Sequence, residues 1–328
     1  MARLAGVSPA TVSRVLNHRE LVSPELAERV RSAIGRLEKR GARAGVAYRV
    51  GAAFPRRIAA LEPEPVGGAF YGPVLMGVEE VLRSSGHDLS LFTYDPADMV
   101  SLMEQRSRLD GLVLLGADVP EELARRAAAE GLPVVVVDKQ VRGADSVVLD
   151  NVGGAQEVTA HVLGAGYRSL VYVAETLEDR SFAARREGFE RAVLAAGQTV
   201  QARSVEVGRG WQRAPELVTE LEEEGRFPTA VVAGNDMTAL HILSLAKARG
   251  LQVPAQLGVA GFDDIALAEQ TEPPLTTVRV DKVEMGRLAA RRLLDRIEFP
   301  SLLPVTVTMH VALVVRGSTL RPGHDEAR

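Results

Sequence analysis

The sequence predicts a small all-α N-terminal headpiece followed by a two-lobed α/β core of doubly wound parallel sheets. Three observations carry this. From Ile58 onward, short apolar runs alternate with amphipathic helical patterns, as parallel strands with helices on both faces require. The number of such units implies two lobes. Charge is divided as well: residues 1–57 hold 12 Lys/Arg against 4 Asp/Glu, a net of +8, and the other 271 hold 27 against 39, a net of −12. A charge run is usually a solvated face, but a basic head on an acidic body also suits a head that meets a polyanion.

The headpiece reads as three short helices over residues 1–41. Ala2, Leu4 and Ala5 belong to the first, which Gly6 stops because glycine tolerates φ > 0. Ser8 is an N-cap acceptor and Pro9 suits the next position. Val12, Val15 and Leu16 form one apolar face of the second helix. Its other face carries Pro9, Ala10, Ser13, Arg14 and Asn17, short hydrogen-bonding groups plus one long cation. A helix lying in a DNA major groove needs that set, although an ordinary amphipathic helix tolerates it too. Ser23, Pro24 and Glu25 open the third helix, whose stripe is Leu26, Val30, Ile34 and Leu37 and which ends near Gly41. Residues 42–57 read as a hinge or linker.

In the core, strands are expected at Ile58–Leu61, Leu112–Leu115, Val134–Val137, Leu170–Val173, Ala230–Ala233 and Gly258–Gly261. Helices are expected at Val74–Ser84, Glu121–Glu130, Gly154–Leu163, Phe182–Ala195, Pro215–Glu223 and Met237–Arg249. Asp138, Asn235 and Asp263 sit at carboxyl ends of strands, where an open α/β lobe faces its ligand. Carboxylates and an amide there bond hydroxyls, and Arg185 adds a rigid fork for a hydroxyl pair or an anion. Trp211, the only tryptophan, offers a flat face to a sugar ring or simply packs. Asn235 and Asp236 equally suit a helix cap. Asp264 reads as structural, and Asp150 and Asn151 as loop-stabilising.

Composition narrows the function. The chain has 328 residues, 46% hydrophobic and 25% charged, and no cysteine, which removes disulfides and cysteine-ligated zinc. No 18-residue apolar run and no basic-then-apolar leader occur, so a cytoplasmic location without a membrane partner is expected. No GxGxxG follows a strand, no GxxxxGK[ST] exists, and His18, His87, His161, His241, His310 and His324 form no pair at ligand spacing. No cofactor, no metal and no enzymatic activity are expected.

The stretch Gly6–Asn17, GVSPATVSRVLN, resembles the recognition helix of the LacI/GalR family of bacterial transcriptional regulators, whose usual form is AGVSxxTVSRVLN. Further motifs occur in the family's order: Val134–Asp138, Val147–Asn151, Gly164–Arg168 (its LGHR turn), Arg185–Phe189 (RxxGF), Ala233–Asp236 (AxND), Gly258–Asp264 (VxGFDD), Pro273–Val278 (PPLTTV) and Val315–Thr319 (LVxRxST). The resemblance implies a helix-turn-helix headpiece on a periplasmic-binding-protein-like type I core. It places Pro9 and Ala10 at specificity positions, Arg14 on a guanine, and Thr11, Ser13 and Asn17 mainly along the phosphates, with Ser8 also among the DNA-binding residues. It assigns effector contact to Asp138, Arg185, Asn235 and Asp263, with Phe70 and Tyr71 as the aromatic pair after the first strand.

The resemblance further implies operator DNA as partner, a sugar-like effector and a homodimer, here through the helix from Val74 (with Met76 and Val81) and the one around Met285. The lobes are expected at about 58–153 with 278–305 and at 154–277 with 306–321, leaving 322–328 as a tail. Two departures stand out. The chain begins inside the first helix, so a start upstream of Met1 is expected. In the hinge, Gly45 and Gly51 replace an asparagine and the lever leucine, at roughly 1 kcal/mol each for a short helix. A ligand-binding core with an idle headpiece, or a solute-binding protein, are the rival readings.

Overall fold

The computed structural model describes residues 47–55, 68–94, 109–116, 119–197 and 199–320. The chain divides into two compact units, Met1–Tyr48 and Arg49–Arg328. The expectations for Ser8, Pro9, Ala10, Thr11, Ser13, Arg14 and Asn17, and for a strand at Ile58–Leu61, lie outside the described residues.

In chain order the elements are β1 (Arg49–Pro55), α1 (Gly68–Ser84), β2 (Asp88–Tyr94), β3 (Gly111–Leu115), α2 (Glu121–Ala129), β4 (Val134–Val137) and β5 (Asp145–Leu149). There follow α3 (Asn151–Gly164), β6 (Ser169–Ala174), α4 (Arg180–Ala196), β7 (Gln201–Glu206), α5 (Ala214–Glu224), β8 (Thr229–Ala233), α6 (Asp236–Ala248), β9 (Leu257–Ala260) and α7 (Ala266–Gln270). The last are β10 (Thr277–Arg279), α8 (Lys282–Glu298), β11 (Thr306–Met309) and β12 (Ala312–Val314). One sheet has the order β11-β5-β4-β3-β1-β2, the other β7-β6-β8-β9, and β10 pairs with β12. Every pairing in the two larger sheets is parallel. Strands such as β3 (GLVLL) and β4 (VVVV) are accordingly apolar and buried at every position.

Two expectations are corrected. The first strand of the core is Arg49–Pro55, inside the stretch read as linker. Its Gly51-Ala52-Ala53 has weak strand propensity, but a Cβ at Gly51 would lie 2.8 Å from Leu109 Cδ1, so packing selects the small residue. Second, Thr306–Met309 pairs with β5 in the first sheet, so the last passage between lobes follows Met309 rather than residue 305. On the two helices expected at a dimer surface, Met285 itself is buried within the chain and Met76 is 65% exposed.

Glycines set the closest helix contacts. A Cβ on Gly77 of α1 would lie 2.0 Å from Val283 O of α8, and one on Gly286 of α8 would stand equally intolerably close to the Val74 carbonyl of α1. The two backbones therefore touch, which fixes the helix that carries Phe70 and Tyr71. Gly188 does the same for α4, where a Cβ would meet Val152 O of α3.

Candidate functional site

The site grows from the carboxyl ends of β4, β6, β8 and β9. Arg185 is its hub. Asp179 caps α4, accepting hydrogen bonds from Ser181 N at 2.8 Å and Phe182 N at 3.3 Å, and so sets where Arg185 emerges between the lobes. The guanidinium donates from Nε to Asn151 Oδ1 at 2.8 Å and from Nη1 to Gly234 O at 2.6 Å. Its Nη2 stands 3.4 Å from Asp263 Oδ1, an ion pair by distance without hydrogen-bond geometry. Phe262 stacks beneath it, with Cζ 3.8 Å from the ring centroid. Gly234 has to be glycine for this, because a Cβ would lie 2.9 Å from Phe182 and 3.0 Å from the Tyr172 hydroxyl.

Asp138 follows β4 with φ of 70°. Tyr71 donates its hydroxyl to Asp138 Oδ2 at 3.0 Å, and Phe70 meets Tyr71 edge-on with centroids 4.9 Å apart. Burial pushes the Asp138 carboxyl up to about 7, with Asp179 and Asp263 adding to the rise and Arg185 opposing it. Burial, then Asp138, raises the Tyr71 hydroxyl well above its ordinary value. Asp263, with φ of 116°, is also raised by burial, against the pull of Arg185 and Lys282. The two lobes thus bring Asp138 and Tyr71 from the first sheet together with Arg185 and Asp263 from the second.

Other expected residues are committed elsewhere. Asn235 caps α6, its Oδ1 accepting from Thr238 N at 2.8 Å, so the helix-cap reading holds for that atom. Its amide turns to Glu175, whose carboxyl burial raises. Trp211 donates Nε1 to Thr238 Oγ1 at 3.0 Å and stacks on His241 with centroids 5.2 Å apart, packed against the core of the second lobe. Asp264 is structural, bound by Arg279 at 2.9 Å and Arg316 at 2.8 Å. Asp150 caps α3 through Gly153 N, and Asn151 holds Arg185.

Glu175, Asp179 and Lys139 escaped the sequence reading. The first two lie in the ordinary-looking loop Glu175–Asp179 after β6, and only the sheet topology turns that loop toward β4. The only advance signal was an aspartate placed to cap the helix of Arg185. Lys139 Nζ donates to Val119 O at 2.6 Å. At the rim, Arg180 of α4 and Glu121 of α2 pair across the lobes at 3.0 Å.

The motifs near the chain's end build the passages between lobes. Asp236 accepts from Ile265 N at 2.9 Å and from Thr277 Oγ1 at 2.5 Å, and burial pushes its carboxyl up to about 8. Thr276 Oγ1 meets Thr319 Oγ1 at 2.8 Å, and Ser318 Oγ donates to Val259 O. Lys282 Nζ donates to the carbonyls of Asp263 and Asp264. The backbone that presents Asp263 is therefore anchored by the same segments that join the lobes.

Comparison with known proteins agrees with this architecture. Residues 1–38 match the model for bacterial regulatory proteins of the lacI family, and residues 159–319 match a periplasmic binding protein-like domain. The chain is 31% identical to the HTH-type transcriptional regulator CelR of Thermobifida fusca, over 97% of this chain and 96% of that protein. It is 29% identical to the HTH-type transcriptional repressor PurR of Vibrio atlanticus, over 97% of each. Among solved structures, a CelR–cellobiose complex superposes with a TM-score of 0.68 at 29% identity, covering 97% of this chain and 98% of that one. The lac repressor dimer bound to operator and the anti-inducer ONPF shares the fold, with a TM-score of 0.67 at 22% identity over 97% of each chain. These relatives are transcriptional regulators, not enzymes. The chain belongs to the lacI family of bacterial regulatory proteins.

Proposed function

We propose that this chain is a cytoplasmic transcriptional repressor that binds a palindromic operator as a homodimer and responds to a sugar-like effector held between its lobes. The observation that carries the reading is the crevice itself. Asp138 and Tyr71 come from one lobe and Arg185 and Asp263 from the other, so a ligand bonded to both sides favours one lobe angle over another. Two relatives lend direction: CelR has been seen with cellobiose, and PurR is a repressor.

In this reading Arg14 reads a guanine and Thr11, Ser13 and Asn17 grip phosphates, while Pro9 and Ala10 meet base edges. Two headpieces on two half-sites match the two-fold symmetry of a dimer. Exposed Met76 on α1 belongs to the dimer surface. A change in lobe angle moves the headpieces relative to each other, and a coupling of about 1–3 kcal/mol suffices to release DNA.

The test is a salt titration of the full chain on a palindromic duplex against a scrambled one. Tighter binding to the palindrome, with log affinity falling linearly against log salt, is expected. Silence on both duplexes would leave a ligand-binding core that does not act on DNA.

A further inference from the structure

Lys282 opens α8 at a position where helix energetics alone would not select it. The first turn of a helix is its positive end and favours carboxylates, which Asp281 and Glu284 supply; Asp281 caps the helix by accepting from Glu284 N at 2.9 Å. A lysine there meets like charge, and this one is also buried. Its ammonium has three hydrogens, and three backbone carbonyls lie within hydrogen-bond reach: Asp263 O at 2.5 Å, Asp264 O at 3.1 Å and Val280 O at 3.4 Å. Burial works against the charge, and the carboxylates of Asp263, Asp236, Asp264 and Asp281 sustain it.

Two of those carbonyls belong to a strained turn. Asp263 and Asp264 have φ of 116° and 51°, values that non-glycine residues keep only where their surroundings over-determine them. Here the surroundings are one short segment. Asp263 N donates to Val278 O at 2.8 Å and Asp264 N to Thr277 Oγ1 at 3.4 Å, while Lys282 takes the carbonyls. The turn after β9, in the second lobe, is thus gripped through amides and carbonyls by the connection that runs into α8. Helix α8 packs on β3, β4 and β5 of the first sheet. It is locked to α1 through the Gly77 and Gly286 contacts, and Arg287 pairs with Glu80 at 2.8 Å. A shift of the Asp263 turn therefore has a bonded route to α1, which carries Tyr71 and exposed Met76.

We propose that Lys282 is a positioning residue for the effector response: it holds the turn that presents Asp263 and passes displacement of that turn to the α8–α1 pair. With its three hydrogens given to carbonyls, it acts without touching the effector. The proposal rests on the reading of the crevice as the effector site and adds the residue through which that site reaches the α1 surface.

Coupling of this kind shows itself as non-additivity, so the test is a double-mutant cycle on the full chain. Wild type, Asp263→Asn, Lys282→Met and the double variant are compared by hydrogen–deuterium exchange, with Ser169–Ala174 and Thr229–Ala233 as internal references for global stability. Asp263→Asn, which removes the carboxylate facing Arg185, should change exchange across α1 by about fivefold or more relative to those strands. In the Lys282→Met background the same substitution should leave α1 unchanged, and exchange at residues 263–265 should already be faster. Should Lys282→Met fail to fold, Lys282→Arg keeps the charge but replaces three converging hydrogens with a planar fork, and should weaken the response of α1. An equal effect of Asp263→Asn on α1 in both backgrounds would overturn the proposal, since the signal would then cross the crevice without Lys282. So would an α1 that ignores Asp263→Asn in the wild-type background, or a turn that exchanges normally in Lys282→Met. Neither DNA nor ligand enters this measurement. A chain that fails to bind a palindromic duplex therefore refutes the regulator reading alone, and the exchange data still decide the role of Lys282.

Discussion

Replacing Arg185 with Met separates two roles for the central guanidinium: holding the crevice together and touching the ligand. Methionine keeps much of the apolar stem and its packing on Phe262 but removes every polar contact. The wild-type group donates at 2.8 Å to Asn151 and at 2.6 Å to Gly234 and pairs with buried Asp263. Two hydrogen bonds from a charged donor amount to roughly 3–6 kcal/mol. Removing one partner of a buried ion pair costs about 3–5 kcal/mol, limited here because Asp263 is already raised toward protonation. The two ranges meet near ~4 kcal/mol, equivalent to a fall of roughly 8–16 °C in Tm at 2–4 °C per kcal/mol. Urea unfolding followed by circular dichroism measures it. Adding Asp263→Asn should restore about half of the loss, because the stranded charge goes with it. A loss under about 1 kcal/mol, typical of an exposed pair, would refute the structural role. If sugar binding vanished in so stable a variant, Arg185 would contact the ligand directly.

Three further outcomes are expected. Gly286→Ala drives a Cβ into the Val74 carbonyl; overpacking of about 1–3 kcal/mol outweighs the roughly 1 kcal/mol gained in helix propensity, and combining it with Gly77→Ala costs less than the sum, as urea midpoints will report. For Asp236, raised by burial to about 8, the native state binds more protons than the unfolded chain, so its contribution to stability is lost as pH climbs toward and through 8. Wild type should therefore weaken between pH 6 and pH 9 relative to Asp236→Asn, and parallel profiles would exclude that carboxyl as the cause. Arg14→Ala should lose about 1–3 kcal/mol of discrimination at one guanine in a competition assay, whereas equal loss on random DNA would make it a phosphate contact.

How far the sequence spoke depended on what each segment buries. Val134–Val137 and Ala230–Ala233 were legible because central parallel strands are apolar on both faces. Arg49–Pro55 was not, since Gly51, Ala52 and Ala53 look like linker until Leu109 and Phe92 press on them. Edge strand Gln201–Glu206 is largely polar and exposed, so no periodicity marked it. In the site, Arg185 and Asp263 stood out through their motifs. Glu175 and Asp179 did not, because a loop acid takes its meaning from what the topology sets opposite it. The same motif pairs Asp263 and Asp264, yet their different fates, one facing Arg185 and one held between Arg279 and Arg316, depend on backbone turns that residue order does not display.

The interleaving of the first sheet also dictates an order of biosynthesis. Helices and strands of the second lobe run contiguously from Asn151 to Gln270, so that lobe can largely assemble as it is translated. The first sheet cannot, because its edge strand Thr306–Met309 and the helix Lys282–Glu298, which packs on β3, β4 and β5, are made last. At about 5–20 residues per second, the 160 residues from β5 to β11 take roughly 8–30 s, during which Val134–Val137 lacks the cover that Lys282–Glu298 gives one of its faces. For that interval the nascent chain carries an open, adhesive sheet, and its yield in a cell will depend on chaperones that bind nascent chains more than its native stability implies.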